Sequence, residues 1–200
     1  MRILVTGFEP FGQDTENASW EAVRRLPARI GAHEIVTGLL PVSFGRVEAA
    51  LDELIVSSAA EAVVAVGEAG GRTAITPELW GVNEQDARIA DNDGAQPRAT
   101  AIDDGPARRG AGLDVRAMVN ALQQAGFAAE LSEDAGRFLC NQVAYLVAEA
   151  PGAFIHVPAV RTSGMATVGA ETDSAPRNTG HGGYTFERLS DGLRTVLGAL

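Results

Sequence analysis

Cysteine is nearly missing from this chain: Cys140 is the only one among 200 residues. One cysteine cannot form a disulfide within the chain, so we expect a protein of a reducing compartment. Long apolar runs are missing too, and none reaches the roughly 18 residues that a transmembrane helix needs. The N-terminal apolar run is too short for a signal peptide and soon meets Glu9 and Pro10. These features predict a cytoplasmic protein that does not enter a membrane.

Basic residues and histidines are also scarce. The 16 Lys and Arg residues face 26 Asp and Glu residues, which gives a formal net charge of −10. No basic run is present to neutralise phosphates, so nucleic acid and anionic membranes are excluded as partners. The three histidines are scattered and, with one cysteine, leave no ligand set at a plausible spacing. We therefore predict no metal site.

Short apolar segments alternate with amphipathic ones along the chain. Continuous apolar runs predict buried strands at residues 2–6, 33–39, 62–66, 127–131 and 153–157. Apolar residues at helical spacing predict helices at residues 17–25, 47–58, 114–125, 138–149 and 186–197. We predict that residues 1–200 form one α/β domain, a three-layer α/β/α sandwich on a twisted, mostly parallel sheet.

Three stretches do not fit this alternation. Residues 75–83 are predicted to be extended, with residues 86–94 as their hairpin partner and a turn at 92–94. Residues 95–112 are rich in Pro, Gly, Asp and Arg and predict a long surface excursion. Residues 164–183 are glycine-rich and low in apolar content, which predicts a flexible loop.

Cys140 is predicted to lie in the first turn of the helix at 138–149, after a turn formed by Asp134 and Gly136. The helix dipole and the free N–H groups at a helix start favour a thiolate. A lone cysteine is, however, more often a small buried hydrophobe. The interpretation as a nucleophile therefore needs a base and an orienting acid nearby.

His156 is the predicted base, from the lengths of two elements. The helix after Cys140 carries the chain about 18 Å away from the carboxyl edge of the sheet. The strand that ends near His156 brings it back by about 17 Å over five residues. Sites in such sheets form beyond the carboxyl ends of the strands, so both residues are expected at one crevice. The alternative is a core histidine bonded to backbone.

Several acids are candidates for fixing the imidazole tautomer. Glu78 leads because its loop lies at the same edge, Asp91 is second and Glu68 third. The alternative for each is a solvated surface acid. Arg88 is a candidate for polarising a carbonyl group, and its alternative is an ordinary surface ion pair.

The chain resembles the pyroglutamyl peptidase I family, the C15 cysteine peptidases, also called pyrrolidone-carboxylate peptidases. The similar motifs are co-linear and stand at residues 6–12 with 17–20, 66–72 with 75–78, 86–94 with 96–97, 135–141 and 154–158. The resemblance implies Cys140 as nucleophile, His156 as base and Glu78 as orienting acid. It also implies a cytosolic enzyme without a cofactor, a homo-oligomer (dimer or tetramer), whose substrates are small peptides with an N-terminal pyroglutamate.

The pyroglutamyl ring is a lactam without an ammonium group, so its site should be apolar with few polar groups. The Cys140 backbone N–H, with Arg88, is expected to stabilise the oxyanion of the tetrahedral intermediate. Asn17 is expected to help position the first loop. The residues expected to clasp and line the ring are Phe8, Phe11, Ile89, Phe138 and Leu139.

The sequence departs from the family pattern in a few places. Glu68 stands where the family more often has glutamine, and Ala18 follows Asn17 where proline is usual. The connection from Cys140 to His156 is short, and residues 159–162 replace a run with tyrosine and glutamate. Two rival functions remain: a cysteine amide hydrolase for another lactam or acyl group, and a non-catalytic relative that binds a small ligand.

Overall fold

The structure, a computed structural model, describes residues 1–162 and 183–200. The predicted loop at 164–183 therefore lies, apart from Gly183, outside the described residues. The strands are β1 (Arg2–Phe8), β2 (Arg29–Ile30), β3 (His33–Leu40), β4 (Ala62–Ala69), β5 (Thr76–Pro77), β6 (Trp80–Val82), β7 (Arg108–Gly110) and β8 (Gly152–Pro158). The helices are α1 (Ala18–Val23), α2 (Val47–Ser58), α3 (Val115–Gln124), α4 (Leu139–Val147) and α5 (Phe186–Gly198).

Six strands form one sheet in the order β2-β3-β1-β4-β8-β5. The four central strands are parallel, and the short edge strands β2 and β5 are antiparallel to their neighbours. In this register, His156 of β8 pairs with Gly67 of β4 on one side and with Thr76 of β5 on the other. The carboxyl ends of β1, β4 and β8 consequently meet at one edge.

Successive residues of each central strand face opposite sides of the sheet, and each side carries its own core. One core unites Ile3, Val64 and Ile155 with α1, α3 and α5. The other unites Leu4, Ala65 and Phe154 with α2 and α4. The predicted α/β/α sandwich on a mostly parallel sheet is confirmed. Among the described residues, no helix is both long and apolar enough to cross a bilayer.

The helix boundaries follow local chemistry. Asp114 caps α3 by accepting hydrogen bonds from the backbone N–H groups of Arg116 and Ala117. Asp134 accepts a hydrogen bond from the Gly136 N–H, and Gly136 has a φ of 79°, so these two residues form the predicted turn. Phe138, rather than either of them, is the N-cap of α4.

The predicted hairpin is wrong. β6 pairs with β7 (Arg108–Gly110), which lies inside the predicted surface excursion, and residues 86–94 form a loop. Segments this short carry no alternation that identifies a partner, so proximity in sequence was misleading. The predicted strand at residues 127–131 is absent: Ala129 makes an isolated parallel bridge with Ile75, and no regular strand forms there.

Candidate active site

A cavity of about 600 Å³ opens at the carboxyl ends of β1, β4 and β8. Its walls come from the loops after these strands and from the start of α4. The residues predicted from sequence that line it are Phe8, Phe11, Asn17, Glu68, Arg88, Phe138, Leu139, Cys140 and His156. Residues distant in the chain therefore converge on one crevice, as the sheet-edge argument predicted.

Cys140 and His156 both line the cavity, on the same side of the sheet. Cys140 lies in the first turn of α4, on the same side of the sheet as Phe154. His156 shares that side, because it stands two residues beyond Phe154 on β8. A Cβ atom at Gly67, the β4 partner of His156, would lie 2.8 Å from Cys140 Sγ. Only glycine at this position leaves room for the thiol beside the histidine strand.

Glu78 orients the imidazole of His156. His156 Nδ1 lies 2.7 Å from Glu78 Oε1, and both side chains are almost fully buried. A hydrogen bond of this kind fixes a protonated Nδ1 and leaves Nε2 as the ring's acceptor. Burial tends to raise the pKa of Glu78, but the hydrogen bond to His156 and the charge of Arg72 outweigh it and hold the pKa below its usual value. Glu78 is therefore a carboxylate at neutral pH.

Arg72 is a site residue that the sequence argument did not single out. Its Nη1 donates to the same Glu78 oxygen at 2.6 Å and also contacts Thr76 Oγ1. Its Nη2 donates to the Asp134 backbone carbonyl at 2.9 Å, in the loop before α4. Arg72 thus joins the acid to the segment that delivers Cys140. The available signal was its position directly after Gly70 and Gly71, in the loop that continues to Glu78.

The thiol is less acidic than its helix-start position suggested. Burial raises the pKa of Cys140 to about 12, while Arg72 acts to lower it and Glu78 and Glu68 act to raise it further. The backbone N–H of Cys140 acts to lower this pKa, which is the direction that the helix-start position predicted. Burial outweighs it, so ionisation at neutral pH requires a proton acceptor beside the sulfur.

Asp91, the second candidate acid, has a different task. Its Oδ2 accepts a hydrogen bond from the Phe44 N–H at 2.7 Å, and its Oδ1 accepts from the N–H groups of Asp93 and Ala95. Three backbone donors thus hold this buried carboxylate, which shapes the loop beside the cavity. The position next to His156 belongs to Glu78, so Asp91 is not the acid that contacts the imidazole; its place is that of a support for the loop.

Glu68, the third candidate, forms a buried ion pair. Its Oε1 and Oε2 lie 2.8 and 2.7 Å from Nη2 and Nη1 of Arg161. Its Oε2 also accepts the backbone N–H of Ala18, the first residue of α1, at 2.5 Å. Glu68 is therefore held on the side of the cavity formed by the loop after β1, away from the imidazole-bound acid.

Aromatic rings form the apolar wall of the cavity. Phe138 packs against Phe11 at a centroid distance of 5.4 Å and edge-on against Phe44 at 5.1 Å. Phe44 was not predicted and supports Phe138 from behind. Ile89, a predicted lining residue, is partly buried against the core that contains α2 and α4 and does not line the cavity. The aromatic wall of the cavity thus consists of Phe8, Phe11 and Phe138.

Two polar residues hold the frame around the wall. Asn17 Nδ2 donates to the Glu9 carbonyl at 3.0 Å, and its Oδ1 accepts from the N–H and hydroxyl of Ser19. The side chain of Asn141, next to Cys140, exchanges hydrogen bonds of 2.8 Å with the N–H and C=O of Val82. Asn17 therefore fixes the first loop, and Asn141 fixes α4 against β6.

Within residues 1–162 and 183–200, no three His, Cys, Asp or Glu side chains are grouped so as to hold a metal ion. The donors at the cavity are one thiol, one imidazole already bonded to Glu78, and carboxylates paired with guanidinium groups. These residues are arranged for proton transfer and not for metal ligation. That the reaction needs no metal or cofactor stays a prediction.

Comparisons with known proteins agree with this geometry. A family model described as pyroglutamyl peptidase matches residues 1–179. A pyrrolidone-carboxylate peptidase of Cupriavidus taiwanensis is 42% identical over 98% of this chain and 90% of its own length. One from Escherichia fergusonii is 42% identical over 86% of this chain and 85% of its own length.

Solved structures give the same result. Pyroglutamyl peptidase I of Bacillus amyloliquefaciens has a TM-score of 0.84 at 32% identity and covers 99% of this chain and 95% of its own. Pyrrolidone carboxyl peptidase of Thermus thermophilus has a TM-score of 0.84 at 30% identity, over 99% of this chain and 100% of its own. The fold, the cavity and these similarities converge: the chain belongs to the pyroglutamyl peptidase family, Peptidase C15.

Proposed function

We propose that this protein is a cysteine peptidase that hydrolyses the amide bond after an N-terminal pyroglutamyl residue and releases free pyroglutamate. The observation that carries the proposal is the buried His156–Glu78 pair at 2.7 Å, in the same cavity as the only cysteine of the chain. The similarity to proteins named pyrrolidone-carboxylate peptidase supports the choice of substrate.

The first half of the reaction makes a thioester. His156 Nε2 accepts the Cys140 proton as the sulfur attacks the carbonyl carbon of the pyroglutamyl residue. Burial raises the pKa of Cys140 to about 12, so at neutral pH the thiol needs His156 as its proton acceptor. The oxyanion forms near the Cys140 backbone N–H, which belongs to the first helical turn and so has no acceptor within the helix.

The second half releases the product. The C–N bond breaks as His156 gives its proton to the departing amine, and the peptide leaves with a new N-terminus. A water molecule then gives a proton to His156 and attacks the thioester, which restores the thiol and yields the pyroglutamate carboxylate. Glu78 keeps Nδ1 protonated throughout and stabilises the imidazolium that forms in each half.

The cavity is suited to a small uncharged ring. Phe8, Phe11 and Phe138 offer flat apolar surfaces, and about 600 Å³ lies within the range of small-molecule sites. We propose that Asn17 positions this wall through the first loop and that Leu139 closes the base of the cavity. The exposed Arg88, on the cavity lining, is proposed to act on the carbonyl oxygen during attack.

The test is release of a fluorescent amine from its pyroglutamyl amide by the wild type and by Cys140→Ser. We expect rapid release by the wild type and a loss of at least about a thousandfold in the variant, because an alcohol is a much weaker nucleophile here. The glutamyl amide, which carries an ammonium group, serves as the control and should be a poor substrate. Equal rates for the two proteins would exclude Cys140 as nucleophile.

The rival functions give other results. Hydrolysis of a different acyl amide, with none of the pyroglutamyl amide, would indicate a cysteine amide hydrolase of other specificity. Binding of pyroglutamate without turnover of either amide would indicate a ligand-binding relative. We further propose a cytoplasmic homo-oligomer, dimer or tetramer, and sedimentation equilibrium of the purified protein measures that state.

A further inference from the structure

A buried charge cluster lies beside the thiol, outside the Cys140–His156–Glu78 group. Arg161 follows the end of β8 and forms a bidentate pair with Glu68 at the end of β4, at 2.7 and 2.8 Å. The side chains of Arg161 and Glu68 are 4% and 1% exposed. Arg161 Nη2 also contacts Asp14, whose side chain is 6% exposed. Such burial is costly for charges unless each has a partner.

The charge cluster contacts both the start of α1 and the loop after β1, which border the cavity. Glu68 lines the cavity and also accepts the Ala18 N–H at the start of α1. Asp14 belongs to the loop after β1, which carries Phe11. The next residue, Thr162, donates its N–H to Glu16 of the same loop at 2.9 Å. The segment after the histidine strand is thereby fastened to the loop that forms the aromatic wall.

We propose that Arg161 is a positioning residue for the hydrolytic reaction. It neutralises Glu68 beside the thiol and holds the aromatic wall against the end of β8, the strand that carries His156. This inference rests on the proposed function. It concerns two residues that are 93 positions apart in the chain and that the structure brings into contact. Arg161 touches neither the thiol nor the imidazole and acts through Glu68 and Asp14.

The charge argument has a definite direction. The charges that act most strongly on Cys140 are those of Arg72, Glu78 and Glu68, in that order. The other charged and titratable residues that line the cavity are Asp86, Arg88, Asp134, Arg137 and His156. Burial raises the pKa of Glu68, and Arg161 acts to lower it. Even with Arg161 present, the pKa of Glu68 stays above its usual value, so in Arg161→Met the carboxyl group binds a proton more readily. At the alkaline pH where it still ionises, the unpaired carboxylate repels the developing thiolate. In either state Glu68 loses the bond that fixes its position. With glutamine at 68, the thiolate has no such neighbour, and the loss of Arg161 leaves no unpaired Glu68 charge.

The test is a cycle of Arg161→Met, Glu68→Gln and the double variant, with Arg194→Met as control. Arg194 pairs with Asp191 in an exposed position on α5, so its loss should change nothing. We expect Arg161→Met to lower kcat/KM for the pyroglutamyl amide about tenfold or more, and the double variant to recover most of that loss. Contacting residues typically show coupling of this size.

Two further measurements need no substrate. The pH midpoint for alkylation of Cys140 by iodoacetamide should move to higher pH in Arg161→Met and return in the double variant. The melting temperature should fall by roughly 6 °C or more in Arg161→Met and recover in the same way. If Arg161→Met fails to fold, the double variant must still fold and react with iodoacetamide for the proposal to hold.

The outcomes separate this proposal from the proposed function. If the wild type does not hydrolyse the pyroglutamyl amide, the proposed function is refuted. The alkylation midpoints and melting temperatures of the variants still test the Arg161–Glu68 pair in that case. If the double variant is as impaired as Arg161→Met, or if Arg161→Met matches the wild type, Arg161 is not a positioning residue. A recovery of melting temperature without recovery of the alkylation midpoint also overturns it, since that is the pattern of a purely structural ion pair.

Discussion

Glu78 Oε1 accepts two hydrogen bonds, from His156 Nδ1 and from Arg72 Nη1. The first bond sets the tautomer of His156, the proposed base, and lowers the pKa of Glu78; the second holds the carboxylate in place and acts in the same direction. Charge-assisted bonds of this type are stronger than neutral ones, and their removal leaves a buried carboxylate short of a partner. The function of the imidazole therefore depends on a guanidinium group that does not touch it in any described contact.

The first prediction concerns Arg72. Arg72→Met should lower kcat/KM about tenfold to a hundredfold, because a hydrogen bond to a buried charged group is lost. The acid limb of the pH profile should move to higher pH, since Arg72 helps to hold the pKa of Glu78 below its usual value. Arg72→Lys keeps the charge without the planar guanidinium group, so its kcat/KM and its pH profile should lie between those of the wild type and Arg72→Met. An unchanged profile in Arg72→Met would contradict this account.

The second prediction concerns the proton of Cys140. With the pKa raised to about 12 by burial, the thiol of His156→Ala should gain reactivity toward iodoacetamide only in strongly alkaline solution. The wild type should react at lower pH, because His156 accepts the proton. His33→Ala, at the opposite edge of the sheet on β3, is the matched control and should behave like the wild type. Identical rate profiles for wild type and His156→Ala would refute the assignment of the base.

At the level of strands and helices, periodicity predicted most of the architecture. The bounds of α2 were predicted as residues 47–58, and the capping role of Asp114 fixed the start of α3. The partner of β6 was not predictable, because a strand of three residues has no pattern and its partner lies 26 or more residues away. Pairing of this kind is decided by tertiary packing of β6 on α4, where Gly81 admits the backbone of Tyr145.

The third prediction tests how closely β4 approaches α4. Gly67→Ala should lower kcat at least about a hundredfold, since the added Cβ would lie 2.8 Å from Cys140 Sγ and 2.6 Å from the Phe154 ring. Gly45→Ala is the control, because a Cβ there meets nothing within 4 Å. Circular dichroism should show that both variants fold. Full activity in Gly67→Ala would mean that the thiol tolerates displacement.

Over the full chain, the most informative argument from sequence was that the loops after parallel strands lie at one edge of the sheet. It placed Cys140, His156 and the aromatic residues in one cavity, because the carboxyl ends of parallel strands share an edge. Arg72, Phe44 and Arg161 were missed, since they act through other side chains and their geometry depends on packing. The raised pKa of Cys140 was not predicted either, because desolvation of the thiol depends on packing around it and not on its position in the helix.

The fourth prediction links the site to stability. The folded protein holds the pKa of Glu78 below the ordinary value of 4.5, so the unfolded chain binds that proton more readily. The stabilisation of the folded state by ionised Glu78 is therefore complete above pH 4.5. It is lost as the pH falls through the lower pKa that Glu78 has in the folded protein. The melting temperature of Glu78→Gln should lie below that of the wild type at pH 7, and the gap should close on acidification. A difference in melting temperature that widens on acidification would mean that folding raises the pKa of Glu78, and it would contradict this prediction.

The sheet order has a consequence for synthesis of the protein on the ribosome. Within residues 1–162 and 183–200, β8 is the last strand to be made, yet it lies between β4 and β5. Until residue 158 has emerged, the edge of β4 that β8 covers is unpaired, and Glu78 lacks the imidazole that it contacts in the folded protein. A nascent chain that ends before residue 156 therefore cannot form the proposed site.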